Sequence, residues 1–314
     1  MAVTAARKPA VATWLRHAVV AALIVGAAAL LYRTLSQFSA EELSAAIRKV
    51  SASRLAAAAA CAAGSYFCLT WFDWLGLRYV GKPLPYRRAA LASFVSLSIG
   101  HNIGLAGLSS GAIRYRFYRR WGLSLAEIAR LVVFSGVTVA LGLVTLGGIA
   151  LLARPRLAVE IIGIDAAGVT ALGIACIAVD VLYLGMAALR LGPLRFRRWT
   201  LDIPTLRLAL AQIAIGSVNY AFVAGCLYNA MADISGAPYL SVATVYVLAN
   251  TAALIAHVPG GVGVIETVVS VLLPDNPTVA AVLVFRAVYY LIPLLLGGLI
   301  FALVELYWRG RARG

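Results

Sequence analysis

Long apolar runs, broken at intervals by short polar and basic stretches, pattern the whole chain. A helix rises 1.5 Å per residue, so a run of about 20 apolar residues can cross a bilayer. Six such runs are predicted as spanning helices, at residues 14–35, 55–77, 125–153, 166–189, 208–231 and 278–306. After the first comes a polar connector with Glu41, Glu42, Arg48, Lys49 and Arg54. Ser39 followed three residues later by Glu42 has the spacing of a capping box, which predicts a short interfacial helix there.

Two further apolar segments break the pattern. Residues 89–121 begin as a membrane helix and then run through Gly100-His101-Asn102-Ile103-Gly104 and Ser109-Ser110-Gly111, before Arg114, Arg116, Arg119 and Arg120. Residues 239–273 contain His257-Val258-Pro259-Gly260-Gly261-Val262-Gly263-Val264-Ile265-Glu266. Proline removes a backbone donor and glycine permits non-helical angles. Within a bilayer such backbone survives only where protein covers it or where it lines a wet cavity.

The first broken segment either crosses or dips in and returns. Basic residues collect on the cytoplasmic side of membrane proteins, which decides between the two. With a cytoplasmic N-terminus and a re-entrant first segment, 20 of the 27 Lys and Arg fall on the cytoplasmic side. A full crossing would put the arginine cluster outside. The expected fold is therefore an all-α polytopic membrane protein, with six spanning helices plus two re-entrant helical hairpins entering from opposite sides. Residues 1–314 form one integral membrane domain, with inverted half-repeats at about 55–153 and 208–306. Both termini are cytoplasmic.

Composition narrows the function. The chain has 314 residues, is 62% hydrophobic and only 12% charged, and has no polar stretch long enough for a separate soluble domain. In this setting the net charge of +15 points to basic loops and anionic lipid headgroups rather than nucleic acid. Cys61, Cys68, Cys176 and Cys226 lie in apolar runs without a C-x-x-C pair and read as small buried hydrophobes. His17, His101 and His257 are scattered, so no metal is expected. No G-x-x-x-x-G-K-[ST] motif is present, and no cofactor is expected. The basic N-terminus before the first apolar run has the layout of an uncleaved signal anchor.

Candidate chemistry lies in the charges. Asp73, Asp180, Glu266, Arg286 and Arg114 lie in or near apolar segments, where each charge costs about 2.5–3.5 kcal/mol on insertion scales. Glu266 and Arg286 can face each other, as a structural ion pair or as ligand contacts. Arg114 and Arg116 leave the first glycine break, where guanidinium forks and free backbone donors can hold an anionic lipid head. Arg119 and Arg120 read as membrane-surface anchors. Asp73 either pairs with an arginine of its own unit or is an interfacial acid among Trp71, Phe72 and Trp74. Nothing in the sequence names a partner for Asp180. His101 and His257 read as hydrogen-bonded structural residues before proton carriers, and Tyr289 and Tyr290 beside Pro293 as packing residues.

Several stretches together resemble one known family. They are Pro83-Leu84-Pro85-Tyr86-Arg87-Arg88, Asn102-Ile103-Gly104-Leu105, Ser110-Gly111-Ala112-Ile113-Arg114-Tyr115-Arg116-Phe117-Tyr118, the Pro259-Gly260-Gly261 break, and Phe285-Arg286-Ala287-Val288-Tyr289-Tyr290-Leu291-Ile292-Pro293. In this order they are similar to the membrane domain of the lysylphosphatidylglycerol synthase/flippase family (multiple peptide resistance factor). The resemblance implies a bacterial inner-membrane unit that moves anionic or aminoacylated phosphatidylglycerol-type lipid between leaflets. By resemblance, Asp73, Arg114, Glu266 and Arg286 match charged positions in the family's motifs. With the residues of the two breaks, the expected lipid-binding set is Asp73, His101, Asn102, Arg114, Arg116, His257, Pro259, Gly260, Gly261, Gly263, Glu266, Arg286 and Tyr289.

Full-length members carry a soluble transferase domain. This chain stops at Gly314, so the transferase reaction is expected to be absent. The lipid stays open, because stand-alone relatives are linked to polyprenyl and hopanoid pathways. Two alternatives stand beside a flippase: a membrane-embedded lipid-modifying enzyme, and a membrane partner of a separate aminoacyl-lipid synthase. The expected partners are a membrane phospholipid, such a synthase, and a second copy of the chain.

Overall fold

The structure is a computed structural model, described here for residues 40–103, 106–196, 199–255, 269 and 278–311. Five helices among these residues are long and apolar enough to cross a membrane: Ala52–Tyr79, Leu125–Ala153, Ala166–Ala188, Leu206–Ile234 and Ala280–Arg311. They match five of the six predicted spans. The sixth, at residues 14–35, lies outside the described residues, as does the break at His257–Glu266.

In chain order the elements are α1 (Ala40–Arg48), α2 (Ala52–Tyr79), α3 (Tyr86–Ile103), α4 (Ala106–Arg120), α5 (Leu125–Ala153), α6 (Pro155–Ile162) and α7 (Ala166–Ala188). A short hairpin of β1 (Leu194–Phe196) and β2 (Trp199–Leu201) follows, antiparallel, with Arg195 opposite Thr200. Then come α8 (Leu206–Ser235), α9 (Tyr239–Ile255), α10 (Thr278–Arg286), a π-helical segment (Ala287–Leu291) and α11 (Ile292–Arg311). The helix expected after Ser39 is α1. The β-hairpin is the departure from an all-helical chain among the described residues.

The helix ends follow local chemistry. Ser124 caps α5 by accepting from the Glu127 amide at 3.2 Å, while the Glu127 carboxylate accepts from the Ser124 amide at 2.7 Å. Asp165 caps α7 by accepting from the Gly168 amide. Helix α6 starts on Pro155 and ends at Gly163, whose φ of 74° is the left-handed conformation that glycine adopts without strain.

Two antiparallel helices, α2 and α8, form the centre of the bundle. Arg54 reaches Asn229 near one end, and Ser65 reaches Asn219 further along. Their core joins α9 and α10 through Phe72, Leu227, Tyr246 and Phe285. A second core, with Leu77, Ile113, Phe117, Tyr118 and Leu131, packs α3, α4 and α11 on the other flank. Helix α5 lies against α8 at a very close crossing. A β-carbon on Gly142 would come within 2.3 Å of the Gly216 backbone, so only glycine lets the two backbones meet there. Helix α7 presents Leu172, Ile174, Val179, Val181 and Leu182 outward. That is the expected surface of a helix solvated by lipid tails.

Helices α3 and α4 fold back on each other. Near the tip, Ser109 Oγ donates to the Gly100 carbonyl at 3.3 Å, and a β-carbon on Gly100 would strike Ser110. At the base, the Arg88 guanidinium lies over the Trp121 ring at 5.7 Å. Both ends of the pair therefore lie on one side. At 18 and 15 residues the limbs are about 27 and 22 Å long, shorter than a hydrocarbon core of about 30 Å. This is the geometry of a segment that dips and returns. Helix α9 follows α8 and starts at the end of the bundle opposite to the start of α3; the return expected after it falls on residues outside the described ones.

Candidate functional site

The α3–α4 hairpin is clamped at depth by a buried charge cluster. Helix α2 supplies Asp73, and α4 supplies Arg114 and Tyr118 one helical turn apart. Arg114 Nε donates to both Asp73 oxygens at 3.0 Å, and its Nη2 donates to Oδ1 at 2.6 Å. Its Nη1 donates to Ser110 Oγ at 2.9 Å. The Tyr118 hydroxyl completes the set by donating to Asp73 Oδ2 at 2.7 Å. Asp73, Arg114 and Tyr118 are at most 2% exposed.

A buried ion pair is stable only when its remaining hydrogen-bonding capacity is also met, and here both partners are multiply bonded. This settles the alternatives for Asp73: it pairs with an arginine of its own unit. It also corrects the expectation of an Arg114 fork open to a lipid phosphate. The fork is occupied by Asp73, and the side chain is sealed from solvent and lipid.

Arg116 is committed in a similar way. Its Nε and Nη2 donate to the two oxygens of Glu305 at 2.6 and 2.5 Å, joining α4 to α11. Glu305 was not among the sequence candidates. The same signal that marked Asp73, an acid within an apolar run, marks it too. Arg120 lies over the Trp308 ring at 4.5 Å and Arg78 over Trp74 at 3.1 Å. These basic–aromatic pairs lie at the hairpin's base, where a membrane–water interface places amphipathic rings.

Above this clamp, towards the bundle centre, runs a polar seam. Ser65 Oγ of α2 donates to Asn219 Oδ1 of α8 at 2.7 Å and lies 2.9 Å from the Tyr289 hydroxyl. The Tyr66 hydroxyl donates to the Tyr289 carbonyl at 3.3 Å. That carbonyl belongs to the π-helical segment, where the widened turn alters the usual helical pairing. The Tyr66 ring stands 6.4 Å from the His101 ring, at the hairpin tip. His101 Nδ1 is buried without a hydrogen-bond partner among the described residues. Asn102, also buried, donates to the Ser98 carbonyl. Arg286, at the start of the π turn, is 3% exposed and lies 5.9 Å from the Tyr290 ring centre.

The structure thus brings His101 and Tyr289 towards one seam and adds Ser65, Tyr66 and Asn219, which the sequence reading missed, while Asn102 bonds back to its own helix. Their signal was weak: single small polar residues within apolar runs. It places Asp73, Arg114 and Arg116 in the clamp below. His257, Pro259, Gly260, Gly261, Gly263 and Glu266 lie outside the described residues, and so does the expected facing of Glu266 and Arg286. Tyr289 packs as expected, stacked on Phe285 at 5.5 Å, and its hydroxyl is also hydrogen-bonded within the seam.

Comparison with known proteins fits this architecture. The family described as lysylphosphatidylglycerol synthase TM region matches residues 18–297. The chain belongs to that family. An uncharacterized protein of Synechocystis, slr0712, is 31% identical over 264 residues, covering 83% of this chain and 82% of that protein. The inner membrane protein YbhN of Escherichia coli is 30% identical over 272 residues, covering 84% of each. As a member of the lysylphosphatidylglycerol synthase TM family, the chain is a multi-pass membrane protein whose function is tied to membrane lipid. The family match spans both broken segments, and the clamp and seam lie within it.

Proposed function

We propose that the protein is a lipid flippase that moves an anionic or aminoacylated phospholipid of the phosphatidylglycerol type between leaflets of the bacterial inner membrane. The observation that carries this reading is the α3–α4 hairpin, pinned to α2 by Asp73–Arg114, with a polar seam near its tip. A headgroup crossing the bilayer needs hydrogen-bonding groups at depth, where lipid supplies none. Ser65, Asn219, Tyr289 and His101 supply such groups next to broken backbone. Paired broken segments entering from opposite sides are the arrangement in which inverted-repeat transporters place their sites.

In this reading the headgroup engages the seam and the Pro259–Gly263 break, while the acyl tails stay in lipid. Arg114 and Arg116 hold the hairpin in place. Both termini lie in the cytoplasm, and a separate synthase, or a second copy of the chain, would be its protein partner.

Proteoliposomes carrying a leaflet-specific labelled phosphatidylglycerol test this, with and without an imposed proton gradient. The expected result is transbilayer movement above that of protein-free vesicles, reduced about tenfold, ~1.4 kcal/mol in barrier, by combined Asn219→Ala and Tyr289→Phe substitution. Movement equal to that of empty vesicles under both conditions would overturn the proposal.

A further inference from the structure

Outside the clamp and seam, one buried acid has half its hydrogen bonds missing. Asp180 lies on α7 where that helix crosses α5, and it is 6% exposed. Its Oδ2 is 2.7 Å from Thr145 Oγ1. Its Oδ1 is buried without a partner among the described residues.

Counting protons bears on which group donates. Thr145 Oγ1 is also 2.8 Å from the Leu141 carbonyl, four residues earlier on its own helix. A carbonyl and a carboxylate both only accept, and a threonine hydroxyl has one proton. It can serve both only by sharing that proton, as a weaker bifurcated bond. Thr138, two turns earlier on α5, makes the same contact to the Phe134 carbonyl at 2.9 Å. There the second neighbour is the Gln212 amide nitrogen, a donor, at 2.9 Å, so one hydroxyl proton suffices. At Thr145 each acceptor has a full hydrogen bond of its own only if Asp180 is neutral and donates; a charged Asp180 would have to share the Thr145 proton with the Leu141 carbonyl.

The surroundings give a carboxylate no compensation. From α5 the facing polar group is Thr145; its charges, Glu127 and Arg130, lie ~22 Å or more away along the axis. From α8 come Gln212, held by Tyr183 and Thr138, and Ser217, which donates to the Ile213 carbonyl. The charged residues of α8, Arg207 and Asp233, sit near its two ends. On α7 itself the nearest titratable groups are Cys176 and Tyr183. Helix α6 packs on Leu151 and Val169, more than two turns from Asp180. A charged, half-satisfied carboxylate in such a place would be expensive.

We infer that Asp180 is a proton-binding site at the α5–α7 crossing. Its carboxyl is neutral at rest and donates to Thr145, and it releases the proton to water only when α7 moves off α5. The crossing is built for such a contact. A β-carbon on Gly148 would meet Cys176 and Ile177, and one on Gly173 would meet Leu152. The two helices therefore meet closely at glycines, with Ile177 seated over Gly148 and Leu152 over Gly173. The site stands on its own geometry. Its use to drive lipid movement rests on the flippase reading.

Infrared difference spectra of the protein in vesicles, taken between neutral and alkaline pH, test it. A neutral-carboxyl carbonyl band present at pH 7, lost at alkaline pH and absent from Asp180→Asn is the expected result. A spectrum at pH 7 in which Asp180→Asn removes only a carboxylate band would overturn the inference. A hydrophobic carbodiimide, which attacks neutral carboxyls, should modify Asp180 and not Asp73 at neutral pH, read by peptide mass. The reverse pattern would also overturn it. In the lipid assay, a proton gradient should change the rate of the wild type and leave Asp180→Asn unchanged. If the infrared band is present but no lipid moves, the proton site stands and the flippase reading fails.

Discussion

Two buried acids, Asp73 and Asp180, sit in one membrane protein under opposite conditions. Asp73 receives two donors from Arg114 and one from Tyr118, and every contact is sealed from water. Asp180 has one threonine neighbour, and its second oxygen has no partner among the described residues. The first is a charged group fully compensated, so it works as a fixed joint. The second is uncompensated, so it is stable only while protonated. One residue type thus yields a clamp at one crossing and a titratable contact at the other. The difference lies in what the neighbouring helix presents: an arginine and a tyrosine one turn apart, or a lone threonine beside glycines.

The comparison can be broken most directly at the clamp. Arg114→Ala leaves Asp73 buried without its cation and should cost about 3–5 kcal/mol, seen as a lower thermal unfolding temperature in detergent. Pairing it with Asp73→Leu should restore much of that loss, because the penalty belongs to the unpaired charge. A small effect of Arg114→Ala would mean that the clamp does not hold the hairpin. Tyr118→Phe removes one hydrogen bond to a charged oxygen and should cost about 1.5–3 kcal/mol in the same measurement.

At the other acid, Thr145→Val should cost about 1–1.5 kcal/mol, the loss of one neutral hydrogen bond. A penalty as large as that of Arg114→Ala would mean that Asp180 is charged, and the contrast would collapse. Asp180→Asn should change stability least, by less than about 1 kcal/mol at neutral pH, since an amide also donates to Thr145. Asp73→Asn, measured alongside, should cost several times more, because it strips the buried Arg114 of its counter-charge.

Much of this architecture was legible in the chain. Five spans were placed within a few residues of the observed helices, because a bilayer forces apolar runs of a set length to become helices. A return of residues 89–121 to the side they leave was expected from the charge bias and the glycine break, and α3 and α4 do fold back on each other. The identity of the site residues was legible only in part. Arg114 and Arg116 were marked as headgroup forks because arginines beside a glycine break suit a phosphate. Each had instead found a carboxylate within the bundle.

What the sequence determined by itself is where the chain is apolar, where its backbone breaks, and which charges lie at depth. These are local properties, set by transfer energy and backbone freedom residue by residue. What only the tertiary structure decided is which charges are satisfied. Arg114 meets Asp73 across 41 residues, Arg116 meets Glu305 across 189, and Thr145 meets Asp180 across 35. Hydropathy carries no record of those distances. A buried charge is stabilised by whatever faces it, and the packing of helices chooses that neighbour.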